Sequence, residues 1–326
     1  MSIVQSGIGC CFVAIALLVV PHASHSQEEI GNPDRFDVNS PESPVRETRR
    51  RSVFRLKIPN AALTPDEQAK VADNCLFGLP RKLSGADVGP TQLVYREGYV
   101  LEHSSEWKIP LWVAEHCTTA ELSGSLPRTN PFRPDPLLAR GERSELADYR
   151  GSGLDRGHMA PNGNQKVDDR LRRETFFLSN IVPQAGKGFN QSIWADLEDA
   201  VRDWTQSRQE TWIITGGLFY DPAEENPATA DGLVDVAVIG DDEVGVPTHL
   251  FKIVAAKNSA GKWEALAFVF ENKSYPKLER IESHLKSIDW IEERTGFDFL
   301  PDVVAETGEA GIDVRLEAAA ATALWN

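Results

Sequence analysis

The residue types that could carry chemistry gather between positions 128 and 198 of this 326-residue chain. Asp155-Arg156-Gly157-His158 sets a carboxylate, a guanidinium, a backbone-permissive glycine and an imidazole in consecutive positions. A neutral imidazole can take a proton from water at physiological pH, which makes His158 the candidate general base. A guanidinium grips an oxyanion through paired hydrogen bonds, so Arg156 is a candidate anion clamp, with a second at Arg128 and Arg133 as its rival. Asn190 offers an uncharged amide oxygen suited to a hard divalent ion such as Mg²⁺, with Mn²⁺ able to substitute, and Glu198 can face the same site. Asn180 can support the site by hydrogen bonding, and Asp155 reads better as the local partner of an amide or arginine than as a ligand. Plainer uses stand beside these: Asn190 as a helix N-cap, Glu198 as the i+4 partner of Arg202, and Asn180 as a turn residue ahead of Pro183.

Other chemistries lack their parts. The chain has no His-Glu-x-x-His, no Gly-x-Ser-x-Gly and no Cys-x-x-Cys. Gly216-Gly217 follows a strand pattern without the Gly-x-x-x-x-Gly-Lys of a phosphate cradle. His249 and Lys252 have no role that their surroundings in sequence suggest, and are read as structural.

The elements that must position these groups are legible in outline. Thr64-Pro65-Asp66-Glu67 has the form of a capped helix start, with a helix expected to about Asn74. Alternation from Thr91 to His103 around Arg96-Glu97-Gly98 predicts a β-hairpin, and 111–115 another strand. Further strands are expected at 175–181, 211–215, 234–239, 247–255 and 263–270, with helices at 190–206 and within 278–295, the latter closed by Gly296. On the 190–206 helix, Trp194, Leu197, Val201 and Trp204 make an apolar stripe, and Asn190 and Glu198, two turns apart, rise along a neighbouring flank. Strands in runs, without strict βαβ alternation, give an α+β class with a mixed, mainly antiparallel sheet flanked by helices.

Several segments together carry a resemblance. YREGYVLEH, WVAEH, DYRGSGLDRGHMAP, ETFFLSNIVPQ, FNQSIWADLE, TGGLF, PTHLFK and TGFDFLP, spread from about Gly78 to Pro301, closely resemble the DNA/RNA non-specific endonucleases, a ββα-metal or His-Me finger family that includes the endonuclease G-like nucleases. Leu154 stands where members often carry an aromatic residue. The resemblance implies a ββα-metal active-site motif and phosphodiester hydrolysis in DNA and RNA that leaves 5′-phosphate and 3′-hydroxyl ends. It further implies His158 as base, Asn190 as the sole protein ligand of one Mg²⁺, and Glu198 orienting the water around that ion. A phosphodiesterase acting on small nucleotides and a silent nucleic-acid-binding protein remain the alternatives. The oligomeric state is open, a homodimer included.

The charge of the chain fits a polyanionic substrate only locally. The formal net charge is −15, which opposes indiscriminate attraction to nucleic acid or anionic lipid. Between Arg128 and Asn190, however, 11 basic residues face 8 acidic ones, a basic island suited to phosphate contacts that read no bases.

The first 26 residues contain no charged side chain and run apolar from Cys10 to Val20, which reads as a cleaved export signal and predicts a secreted or periplasmic protein without stable membrane association. A flexible leader is expected over 27–60, a nuclease domain over 61–302 and a tail over 303–326. Of four cysteines, Cys75 and Cys117 remain after cleavage, and export makes a disulfide between them the expectation. Asn190-Gln191-Ser192 and Asn272-Lys273-Ser274 are acceptor sequences for N-glycosylation. Modification at Asn190 would block a metal site, whereas modification at Asn272 is expected to be harmless.

Overall fold

A computed structural model describes residues 63–126, 130–225, 234–309, 311–317, 321 and 323–325. The export signal, the leader with its Arg46–Arg51 basic run, and Arg128 lie outside the described residues.

The first helix, α1 (Pro65–Asn74), starts as its residues dictate: Thr64 accepts from the amide of Glu67, and the Glu67 carboxylate accepts from the amide of Thr64. The alternating segment that follows folds as β1 (Thr91–Tyr95) and β2 (Val100–Ser104), and then β3 (Pro110–Thr118). A separate antiparallel hairpin pairs β4 (Asp155–His158) with β5 (Ile181–Gln184). After it come α2 (Trp194–Arg208), β6 (Glu210–Leu218), β7 (His249–Lys257), β8 (Trp263–Glu271), β9 (Leu285–Lys286), α3 (Ile288–Thr295) and α4 (Ile312–Glu317). One seven-stranded sheet results, every pairing antiparallel, in the order β9-β8-β7-β6-β3-β2-β1.

Strand alternation gives this sheet two apolar faces and hence two cores. On one, Trp194, Leu197, Val201 and Trp204 of α2 pack against Val113, Ile213, Leu250 and Val254. On the other, Trp112, Ala114, Phe251 and Ile253 meet Ile288 and Ile291 of α3 and Ile312 and Leu316 of α4. The chain's last part therefore adds to the core: Trp325 packs 5.5 Å from Trp204, and its carbonyl accepts from the indole N–H of Trp204 at 3.2 Å. No helix among the described residues is long and apolar enough to cross a membrane.

Two expectations need correction and a third is met. Of 175–181, only Ile181 is strand, because the Asn180 amide donates to the carbonyls of Thr175 and Ala160 and closes the segment into turns. Regular helix begins at Trp194 and not at Asn190; Gly186–Ile193 winds irregularly, with Gly188 at φ +83° and Ser192 at φ −143°, ψ −110°. Within 278–295 only Ile288–Thr295 is α-helical, opened by the Ser287 hydroxyl and closed by Gly296 at φ +75° as its glycine predicts.

The expected disulfide is absent: Cys75 and Cys117 are both free and buried. Cys75 belongs to the core with Phe77 and Trp112, while Cys117 belongs to the core under α2, so the sheet stands between them. Burial pushes the Cys75 thiol up to about 12 and raises that of Cys117 too, which leaves neither reactive.

His116 ties α1 to the sheet. Its ring stacks on Trp212 at 4.3 Å, with Nδ1 3.0 Å from Asp73 and Nε2 3.2 Å from Glu210. Burial opposes the imidazolium, but hydrogen bonds to the two carboxylates outweigh it and raise the pKa above the ordinary value. A raised folded-state pKa contributes stability that is full below the unfolded value of ~6.5 and fades as pH climbs through the folded one. Asp73→Asn should therefore lower unfolding stability at pH 6, by ~1 kcal/mol or less since Asp73 is largely exposed, and the deficit should shrink toward pH 9. Urea titrations across that range check it; a deficit that grows with pH would refute the assignment.

Candidate active site

The β4–β5 hairpin sorts its side chains by alternation. Arg156 and His158 leave on one side and Asp155 and Gly157 on the other. On the first side two phenylalanines frame the imidazole: His158 meets Phe176 edge-on at 4.8 Å and Phe132 at 5.3 Å. The exposed Arg156 guanidinium lies 4.4 Å over the Phe132 ring, so one aromatic side chain contacts both Arg156 and His158. Arg133, the rival to Arg128, is directed elsewhere. Its guanidinium lies 4.0 Å over Phe177 beside that of Arg96, on the other flank of the Arg133–Phe177 bridge.

On the second side Asp155 reaches across 35 residues. Its Oδ2 accepts from the Asn190 amide at 2.9 Å and from the Gln191 amide at 2.7 Å. With the Asn190 NH₂ held, its Oδ1 is the atom presented. Asn190 thus belongs to the irregular turn before α2, and Glu198 to the helix itself, so the two come from different geometries than one helix flank. The plain N-cap reading of Asn190 fails for the same reason.

Asn180 supports the site from within. Fully buried, its Oδ1 accepts from the Ala160 amide at 2.9 Å, its Nδ2 donates to Ala160 and Thr175 carbonyls at 2.9 Å each, and its own carbonyl takes the Met159 amide. Its side chain is spent on fixing the chain that leaves His158.

Two residues escaped sequence reasoning. Gln184 faces Asp155 across the hairpin, is fully buried, and lies over Gly157 so closely that a Cβ there would sit 2.1 Å from its Cδ. The glycine of the Asp-Arg-Gly-His run is therefore needed for close packing and not for a left-handed backbone. Asn272 accepts from the Ala185 amide at 2.8 Å and donates to the carbonyls of Pro183 and Pro247 at 3.0 Å each, pinning the turn that carries Asn190. A glycan on Asn272 Nδ2 would replace one of the two N–H donors and crowd the carbonyl it served, which overturns the expectation that modification there is harmless. Neither residue had a local signal, since their partners lie far along the chain; the Gly186-Lys187-Gly188 spacing was the available hint that Asn190 does not start a helix.

Comparison with known proteins agrees with this geometry. The profile of the DNA/RNA non-specific endonuclease family matches residues 83–306. The chain belongs to the DNA/RNA non-specific endonuclease family. It is 35% identical over 233 residues to mitochondrial endonuclease G of Homo sapiens, which spans 71% of this chain and 74% of that one. Nuclease C1 of Cunninghamella echinulata is 32% identical, over 65% of this chain and 84% of its own. Among solved structures, a chain in an EndoG/EndoGI complex superposes with a TM-score of 0.64 at 29% identity, covering 74% of this chain and 94% of that one. The match also agrees with the α+β fold and its ββα-metal motif. As a member of this family the chain is a non-specific endonuclease, a metal-dependent hydrolase of nucleic acid.

Gly157→Ala should force Gln184 aside and cost ~1–3 kcal/mol through overpacking, with a loss of turnover because β4 carries Asp155, Arg156 and His158. Gly157→Ala/Gln184→Ala should recover much of the melting temperature. Calorimetry of both variants checks the packing argument, which fails if the single variant melts with the unaltered chain.

Proposed function

We propose that this nuclease is exported, uses His158 as general base, and works with one Mg²⁺ held by Asn190, cutting DNA and RNA without reading sequence. The observation that supports it best is the Asp155–Asn190 hydrogen bond, which joins the strand of His158 to the turn that presents an amide oxygen. The donor set fits a hard, hydrated cation. Asn190 Oδ1 is an oxygen ligand, Glu198 lies a short way along the chain on α2, and both amide atoms of buried Gln184, on the Asp155 side of the hairpin, lack hydrogen-bond partners among the described residues. Buried polar atoms of this kind are met by ordered water. When bound, the ion would supply positive charge against the negative charge that develops on phosphoryl and leaving oxygens.

The chain's own groups do the rest. His158 takes a proton from a water whose oxygen bonds to phosphorus; the bond from phosphorus to the 3′ oxygen breaks and that oxygen takes a proton from solvent water, leaving a 5′-phosphate and a 3′-hydroxyl. Arg156, with Arg128 as its partner, grips the phosphoryl oxygens. Phe132 and Phe176 hold the imidazole in place, and Asn180 fixes the backbone behind it. Contacts to phosphate alone make cleavage independent of sequence.

His158→Ala should lower turnover at least ~10²-fold while leaving binding of a labelled duplex near that of the unaltered protein. EDTA should abolish cleavage of both DNA and RNA in gel assays, and Mg²⁺ or Mn²⁺ should restore it. Near-normal turnover in the variant would reassign the base; full activity in excess chelator would remove the metal. Export is tested by N-terminal mapping of protein recovered outside the cytoplasm, with a mature start expected near Gln27.

A further inference from the structure

We infer that Asp135 is a positioning residue for this nuclease: its buried carboxylate latches the segment that carries Phe132 against the segment that carries Phe176, and so places the aromatic frame of His158. The inference rests on the proposed role of His158 as base.

Asp135 is 0% exposed, and a carboxylate taken out of water this completely persists only where donors engage both its oxygens. Here they do. Oδ1 accepts from the Arg96 guanidinium at 2.6 Å and from the Leu137 amide at 2.9 Å, while Oδ2 accepts from the buried Ser179 hydroxyl at 2.5 Å. Arg96 stands in the turn between β1 and β2, 39 residues away, and Ser179 lies 44 residues away, just ahead of β5. One side chain thus ties the central sheet, the 131–135 segment and the approach to the active-site hairpin together.

The 44-residue separation recurs along the two segments. Arg133 forms a parallel bridge with Phe177, its amide donating to the Phe176 carbonyl at 3.2 Å and its carbonyl accepting from the Leu178 amide at 2.9 Å. In the same register Phe132 stands beside Phe176, their rings edge-on at 4.9 Å, and Asp135 stands beside Ser179. The Asp135–Ser179 bond therefore closes a register that the main chain opens. Arg96 braces it from one side, pairing with Asp135 while its guanidinium lies 4.0 Å over Phe177. Phe132 and Phe176 meet His158 at 5.3 and 4.8 Å, and Phe132 also lies under Arg156. A slip of the segment would carry Phe132 away from all three.

The test uses the full chain with Mg²⁺ and saturating duplex DNA. Turnover, its pH dependence and the melting temperature are measured for Asp135→Ala, Phe132→Ala and the double variant. Asp135→Ala is expected to lower turnover ~10- to 100-fold, because a misplacement of about 1 Å can cost ~10²-fold. It should also move the acid limb of the turnover profile, which reports the base in the substrate complex, in the same direction as Phe132→Ala does. The double variant should match Phe132→Ala within ~2-fold, since one residue acts through the other. Unaltered turnover in either single variant, losses that multiply in the double, or an acid limb that only Phe132→Ala moves, overturns the inference. Near-normal turnover in His158→Ala would instead overturn the proposed site. If Asp135→Ala does not fold, Ser179→Ala keeps the Arg96–Asp135 pair and removes only the closing bond; lower turnover is expected, and unchanged turnover overturns the inference.

Discussion

The Asp155 carboxylate accepts from the side-chain amides of Asn190 and Gln191, and through those two hydrogen bonds a strand and a distant turn become one surface. Charge-assisted bonds of this kind are short and directional. The surroundings are shaped around them. Gly186 has no side chain where a Cβ would lie 2.7 Å from Asp155 Oδ1, Asn272 holds the Ala185 amide just before the turn, and the Tyr275 amide donates to the Gly188 carbonyl. Asn190 thus keeps its place without regular helix beneath it.

His158 is held by different means on the other side of the same hairpin. His158 is fixed by aromatic packing and Asn190 by hydrogen bonds, and the alternation of a four-residue strand keeps the two environments apart. The imidazole meets two phenylalanine rings, whereas the Asn190 amide is held by a carboxylate. Behind both, Asn180 and Gln184 occupy the interior of the hairpin, one fully engaged with backbone and the other packed against the glycine that makes room for it.

What could be read from the sequence follows the range of the interactions. The Thr64–Glu67 box, the Thr91–Ser104 hairpin and the Gly296 cap are closed by neighbours in the chain, and each stands where its residues predict. His158 draws notice as the one histidine between 128 and 198, whereas Asn190 is one of several side-chain amides there and stands out only through the family resemblance. The start of α2 was misread because an apolar stripe at helical spacing continues upstream through Phe189, while the forces that unwind the turn come from Asp155, Asn272 and Tyr275. Gln184 and Asn272 were invisible for the same reason: each is defined by partners distant in the chain. The Cys75–Cys117 pairing failed because sequence gives no account of which face of a sheet a residue takes.

That last feature reaches beyond the fold. A molecule whose two cores close without sulfur cross-linking holds together equally well in reducing and in oxidising solution. Among the described residues, no cross-link therefore ties folding, and with it activity, to an oxidising compartment outside the cell that makes it. Whatever spares that cell's genome must be supplied from outside the folded domain, by prompt removal across a membrane, by scarcity of free metal, or by a second protein that covers the basic surface around Arg156.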